Sequence, residues 1–570
     1  MFHSFNGKLK TLATISTLTL VVSCGGGGDG STPAPTPTPT PSPTPAPAPT
    51  PTPPPAPTTD HSGLPPLTAT EIVDGEHLSG GDATTVITND EAFGQMPNSV
   101  RDNFRQRANF AAGNFVFRRQ HDNSGPLLNA GSCQGCHLKD GRGLVPRDEN
   151  DPMLSMFLRI SDTQGTHDPI YGNQLQTFAI QSFTTNDRNS GLPVAGGSIN
   201  GTELFGEAYA FIRYEEVSGQ YDDGTNYTLR KPTYVVRDLS YGDFAPNTIF
   251  SPRVSPSVFG SGLLEAIPED NIKALADEND SNNDGISGRY VTITNRVNGQ
   301  SEVARFGHKL ITSAVLHQSA GAYRGDMGIT NQFFPEEPCT SRQQACNLAA
   351  EREDANGDQV DIDDVRLAEV EFYVRTLAVP VRRGYDASSD SWDTDISAGR
   401  QLFFETGCVG CHTPRHVTGE AQGSVLGELG LSGLSPNAAP IEVLSNQTIY
   451  PYSDLLLHDM GGSCQVTREL NDGTNCQAGD DCFYVQRCEG LADGRPEGQA
   501  SGTEWRTPPL WGLGLVKTVN DEATFLHDGR ARTIEEAILW HAGEASNAQR
   551  AFKALSQNER TQLLAFLNSL

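Results

Sequence analysis

No run of eighteen or more apolar residues occurs in this 570-residue sequence, so no segment is long and apolar enough to cross a bilayer as a helix. Basic residues are scarce: 41 Lys and Arg stand against 70 Asp and Glu, a formal charge of −29. That balance lacks the attraction for phosphate on which nucleic-acid binding rests, and it suits a soluble, acidic surface. Length is not lacking, and the chain can build two or three domains with real cores.

The first residues read as a targeting segment. Lys8 and Lys10 precede the apolar run "TLATISTLTLVVSC", which is too short to span and ends at small residues before Cys24. "VVSC" resembles a lipoprotein signal, so residues 1–23 are expected to be removed and Cys24 to carry lipid. Residues 24–60 are a glycine hinge followed by a Pro/Thr-rich tether that favours extended polyproline conformations and cannot form a core. The expected arrangement is a lipid anchor, a semi-stiff spacer and an exported body on the periplasmic face of a bacterial membrane, with the outer membrane favoured.

Eleven cysteines then have to be sorted. Four fall in two short motifs, "SCQGCHLKDGRG" and "GCVGCHTP", as Cys133, Cys136, Cys408 and Cys411. Beyond Cys24, an even remainder of Cys339, Cys346, Cys464, Cys476, Cys482 and Cys488 suits three disulfides in an oxidising compartment. Cys339 and Cys346 are the natural local pair, and the last four allow three pairings.

Each motif is C-x-x-C-H. In c-type haem attachment two thiols bond the vinyl groups, and the histidine that follows is held against the iron. A thioredoxin-like pair would require neither His137 nor His412. Two copies in one exported chain therefore indicate two covalently bound haem c groups. The apolar spacing of "NFRQRANFAAGNFVFRRQ" and "DISAGRQLFFETG" predicts an amphipathic helix ahead of each motif. Trp392, Trp505, Trp511 and Trp540 are read as core residues.

"GPLLNAGSCQGCHLKDGRG", "SPSVFGSGLLEAIPE", "DMGIT", "LLLHDMGG", "RTPPLWGLGL" and "FLHDGRARTIEEAILWHAGEA" together resemble the di-haem oxidoreductase and peroxidase family, also labelled thiol oxidoreductase-like. The likeness runs from about residue 85 to 570 and extends more distantly to bacterial di-haem cytochrome c peroxidases. It implies a mainly α protein with long loops and two cytochrome c-like domains, at 61–390 and 391–570. It also implies a peroxidase-like reaction, with peroxide reduced or oxygen activated at the N-terminal haem and electrons relayed by the C-terminal one. A small cytochrome c or a quinol-linked protein would be the donor. An oxygenase or substrate-radical enzyme for a bulky substrate, and a non-enzymatic electron-transfer lipoprotein, are the rival readings.

Site residues follow from the same likeness. In the peroxidases a His-Asp-Gly stretch precedes, by fourteen residues, the second axial ligand of the C-terminal haem, usually Met. Here that stretch is His527-Asp528-Gly529 and the position falls on His541. Thr533 with Glu536 reads as a capping box that starts the helix carrying it. Near the N-terminal haem, His167, His308, His317, Met153, Met156 and Met327 are candidate distal ligands, and an open position is expected. Glu265 after "SPSVFG" is the expected acid–base residue, with Glu269 in reserve. Asp280, Asn282 and Asp284 start a calcium-like loop, and Asp354, Asn356, Asp358 and Asp364 offer a shortened second one.

The haem count is directly measurable. Intact mass of the mature protein should exceed the polypeptide by two haems, and Cys408→Ala should remove one. A mass showing one haem or none in the parent protein overturns the reading of the motifs.

Overall fold

In the computed structural model, the described residues are 64 and 67–570, apart from 72, 123, 180–194, 200–201, 351–359, 429–438 and 478. The leader, Cys24, the whole tether, and Asp354, Asn356 and Asp358 of the second Asx-rich loop therefore lie outside the described residues. Helix α1 (Phe104–Arg118) is followed by the one-turn α2 (Cys133–Cys136) and by β1 (Met156–Ser161). A long hairpin of β2 (Tyr209–Gln220) and β3 (Asn226–Arg237) comes next, then β4 (Ile249–Val254). The helices that follow include α3 (Ser261–Glu265), α4 (Val315–Met327) and α5 (Asp364–Arg375). The rest of the chain runs α6 (Thr394–Glu405), β5 (Leu457–Asp459) and a second hairpin of β6 (Gly462–Glu469) and β7 (Phe483–Gly490). It ends with β8 (Glu504–Arg506), α7 (Ile534–Trp540) and α8 (Gln557–Ser569).

The helices expected ahead of the two motifs are α1 and α6. Asn103 starts α1 by accepting from the Arg105 and Gln106 N–H groups, and Asp393 does the same for α6 with Asp395 and Ile396. Each lies against a later helix at a glycine. A Cβ on Gly113 of α1 would collide with the Glu369 carbonyl of α5, and one on Gly399 of α6 with the Gln562 carbonyl of α8. Backbone thus meets backbone in both pairs, and only glycine permits that approach.

The chain is not, however, mainly α, nor a pair of mainly helical cytochrome c-like domains: it holds 29% helix and 21% strand spread over many sheets. The largest is a four-stranded antiparallel sheet in the order β6–β7–β3–β2, so the two hairpins share one ladder. The physical reason is the aromatic and β-branched character of "YAFIRYEEV", "YTLRKPTYVV" and "FYVQRC", which fits pleated, half-buried surfaces. One apolar layer, including Met156, Leu158, Ile160, Ile212, Tyr234, Val236 and Phe250, fills the space between this sheet and the β1–β4 pair.

All six remaining cysteines are paired, as Cys339–Cys346, Cys464–Cys488 and Cys476–Cys482. Cys464 and Cys488 sit opposite each other across β6 and β7. Among the described residues, no helix is long and apolar enough to cross a membrane.

The glycine contacts make a stability test. Gly113→Val and Gly399→Val should each destabilise the fold by roughly 1–3 kcal/mol, the usual effect of overpacking, seen as a lower midpoint in chemical denaturation. An unchanged midpoint would show that these helix pairs are not so closely packed.

Candidate functional site

Cys133 and Cys136 occupy α2, whose start is capped by Ser132 accepting from the Gly135 N–H. Both thiols are unpaired. Burial pushes each up to about 12, so neither is the ready thiolate that dithiol exchange needs. His137 follows, and its Nδ1–H donates to the Pro256 carbonyl at 2.7 Å. That bond fixes the tautomer and leaves Nε2 as a free lone pair. Phe117 of α1 packs beside the ring, with centroids 6.2 Å apart.

The second motif repeats the arrangement. Cys408 and Cys411 are unpaired, and burial pushes Cys408 up to about 11. His412 Nδ1–H donates to the Tyr452 carbonyl at 3.0 Å. Phe403 of α6 lies 6.3 Å from the ring, as Phe117 does in the first site. Burial lowers His137 and His412 alike to about 4, so each imidazole is neutral and available to bind a metal.

His541 caps the C-terminal end of α7, and its Nδ1–H donates to Ala537 O at 2.7 Å. It lies close enough to His412 for their charges to interact. Two imidazoles with their Nε2 atoms unengaged thus share the second site. Thr533 starts α7 by accepting from the Glu536 N–H at 3.1 Å. The Glu536 carboxylate turns instead to Arg532, so only half of the expected capping box forms.

His458 is excluded as a ligand by its own bonds. Its Nδ1–H donates to Glu544 and its Nε2–H to Asp454, both at 2.7 Å. Burial opposes charge on this ring, but Cys411 and Asp454 outweigh it and hold the imidazole well above its ordinary range. Glu544 also accepts from Ser287 and from the Asp459 N–H. The Asp454–His458–Glu544 triad therefore ties the loop just after His541 to the strand beside Cys411.

Around the first site, the named distal candidates are engaged elsewhere. His308 commits Nε2 to Val254 O at 3.1 Å. His317 stacks on Phe334. Met153, Met156 and Met327 are buried core residues, and His167 is exposed, beside Arg495 and Arg159. Two α4 groups that motif reading missed stand at the thiols: the buried Tyr323 hydroxyl faces Cys133, and Asp326 acts on both Cys133 and Cys136.

Glu265 is at the end of α3, with one carboxylate oxygen accepting from the Val315 N–H at 2.7 Å and the other 2.6 Å from Arg375 Nε. Glu371 lies against the same arginine, one turn earlier on α5, and accepts from Ser424. Burial first, with Glu265 adding to it, pushes Glu371 up to about 7 despite the opposing Arg375. The sequence signal for this residue was the Glu371/Arg375 spacing on one helix face. Glu269 pairs with Lys273 and accepts from Val303 at the surface.

The calcium-like loop is held by its own backbone. Asp280 accepts from the Gly285 N–H, Asn282 from Asp284 and Asp284 from Ile286. Asp364 accepts from Gln332. Among the described residues, no group of three or more His, Cys, Asp or Glu is gathered to hold a metal ion.

Two short segments, each with a pair of unpaired thiols and a carbonyl-held histidine, thus recur in one chain. The family model described as "Di-haem oxidoreductase, putative peroxidase" matches residues 98–478 and 480–570, and the chain belongs to that family. No curated protein matches it. Among solved structures, Kuenenia stuttgartiensis hydrazine synthase pressurised with 20 bar xenon matches at 18% identity and a TM-score of 0.20, over 40% of this chain and 63% of that one, under two thirds of its length. At that score the likeness carries no argument.

The pairing of His412 with His541 is testable by spectroscopy. In His541→Ala, one haem's worth of low-spin electron paramagnetic resonance signal should become high-spin while the other haem is unaffected, and in His541→Met the reduction potential of that haem should rise. A low-spin signal that survives His541→Ala intact places the ligand elsewhere.

Proposed function

We propose that this protein is an exported, lipid-anchored c-type di-haem oxidoreductase with peroxidase-like activity. Cys133 and Cys136 would carry one haem and Cys408 and Cys411 the other, with His137, His412 and His541 as iron ligands. The observation that carries the reading is the repeated set of unpaired, buried or half-buried thiols and a histidine whose Nδ1–H is bound to a backbone carbonyl. Bound haem supplies an iron that exchanges electrons and accepts a sixth ligand. The N-terminal site is the place for peroxide or oxygen; the C-terminal site, where His541 joins His412, relays electrons from a small cytochrome or a quinol-linked donor.

The chain's own contribution is to hold protons and exclude water. Glu265 fixes Arg375 and starts α4, a positioning role that narrows the acid–base role expected of it. Glu371, poised near 7, holds a proton below that value and releases it above, as acid–base work near neutrality requires. Tyr323 of α4 faces the Cys133 thiol.

Peroxide-driven oxidation of a reduced small cytochrome tests the whole reading, combined with spin-state spectroscopy. One high-spin haem that binds cyanide and one low-spin haem are expected, and two low-spin haems without turnover overturn the proposal. Turnover should show a pH limb near 7 that disappears in Glu371→Gln, with a loss on the order of 10²-fold for Glu371→Gln and for Glu265→Gln. Unchanged turnover in well-folded variants removes the carboxylates from the mechanism.

A further inference from the structure

Near the first site lies a basic cluster that the chemistry above leaves unused. Arg142 follows His137 closely in the chain. Its Nε donates to Thr524 O at 2.6 Å, and an Nη donates to Leu526 O. Arg506, at the end of β8, donates from Nε to Gly307 O at 3.1 Å. Asp528 acts on Arg142 only at a distance, and no charged group among the described residues offsets Arg506. Both side chains lie deep in the protein yet keep part of their surface open.

His308 lies within the field of both arginines. Its Nε2 is bound to Val254 O, two residues before the Pro256 carbonyl that holds His137, so the cluster borders the first site. Its ring meets Trp505 edge-on at 6.3 Å, and Trp505 stacks on His527 at 3.7 Å. His527 Nε2 is buried without a partner. Burial pulls both guanidinium groups down to about 10. Two deep guanidinium groups without a facing carboxylate are unfavourable until an anion meets them. Their planar forks fit carboxylates in particular.

We propose that Arg142 and Arg506 form a carboxylate clamp, and that it takes the propionate arms of the haem attached at Cys133 and Cys136. This rests on the di-haem reading above. The thiols are faced by Tyr323 and Asp326 of α4, whereas the arginines come from the segment after His137 and from β8. Such a division is needed, because vinyl and propionate groups occupy opposite edges of the macrocycle. β8 pairs with β5, where Trp505 lies opposite His458, so the clamp stands on the strand that runs beside the second site.

The test uses the holoprotein and its Arg142→Gln, Arg506→Gln, Arg142→Lys and Arg506→Lys variants. Intact mass first establishes two haems in the parent protein; their absence overturns the di-haem reading itself and the clamp with it. In a redox titration, each Gln variant should lower the midpoint of the high-spin haem and leave the low-spin haem unchanged, because an unneutralised propionate favours the ferric state. The Lys variants, which keep the charge and serve also if the Gln variants fail to fold, should restore part of the shift. Added acetate should leave the parent spectrum unchanged. Midpoints unaltered in all variants that fold overturn the clamp, and a saturable acetate effect lost on mutation overturns the propionate assignment in favour of a free carboxylate.

Discussion

Three histidines each give up one ring nitrogen to a backbone carbonyl, and the rest of the site is arranged around that bond. Pro256 O holds His137, Tyr452 O holds His412 and Ala537 O holds His541. A carbonyl can only accept, so each Nδ1 must carry the proton and each Nε2 must offer its lone pair. The carbonyls come from different kinds of backbone: a loop leading into α3, a strand-to-loop junction and the last turn of α7. What they share is a polar atom already fixed by its own segment, so orienting the imidazole needs no further charged partner.

One of these carbonyls belongs to a residue held by buried charge. Tyr452, which supplies one of them, donates its hydroxyl to Glu76 at 2.8 Å, and Glu76 also pairs with Arg382 and Arg400. Arg400 belongs to α6, the helix ahead of the second motif. An early segment, a helix and the ligand-holding carbonyl are thus joined through one carboxylate. Removing Glu76 would leave two buried guanidinium groups facing each other, and breaking such a group is far more damaging than never having built it. The Asp454–His458–Glu544 triad plays the matching part on the other side of His412.

Much of this was readable from residue order. The spacing within C-x-x-C-H led to four unpaired thiols and two carbonyl-held histidines, helix periodicity identified α1 and α6, and the step from His527 led to His541, another ring held by a backbone carbonyl. The fold class was not readable in the same way. Motifs report on helices and loops, while β2, β3, β6 and β7 carry no motif, so a likeness based on motifs overstated the helical share. Disulfide pairing among Cys464, Cys476, Cys482 and Cys488 depends on which strands lie side by side. Glu371 and Arg506 gain their character from burial and from missing or opposing neighbours, which no local pattern encodes. Glu265, chosen from its place after "SPSVFG", stands where one oxygen starts α4 and the other meets Arg375.

The shared sheet also bears on the order of assembly. Phe250 and Gln486 are bonded across 236 residues of chain, and β3 pairs with β7 nearby. The second motif lies within the span that these contacts close. Non-local pairing of this kind is slow, because the loop must be closed before its contacts return any stability. In an exported di-haem protein, as proposed above, the four motif thiols and the six disulfide-forming thiols would all meet the same oxidant during that interval. Delivery of the cofactor would then compete in time with closure of the sheet, and the rate of folding would become a determinant of which sulfur meets which partner.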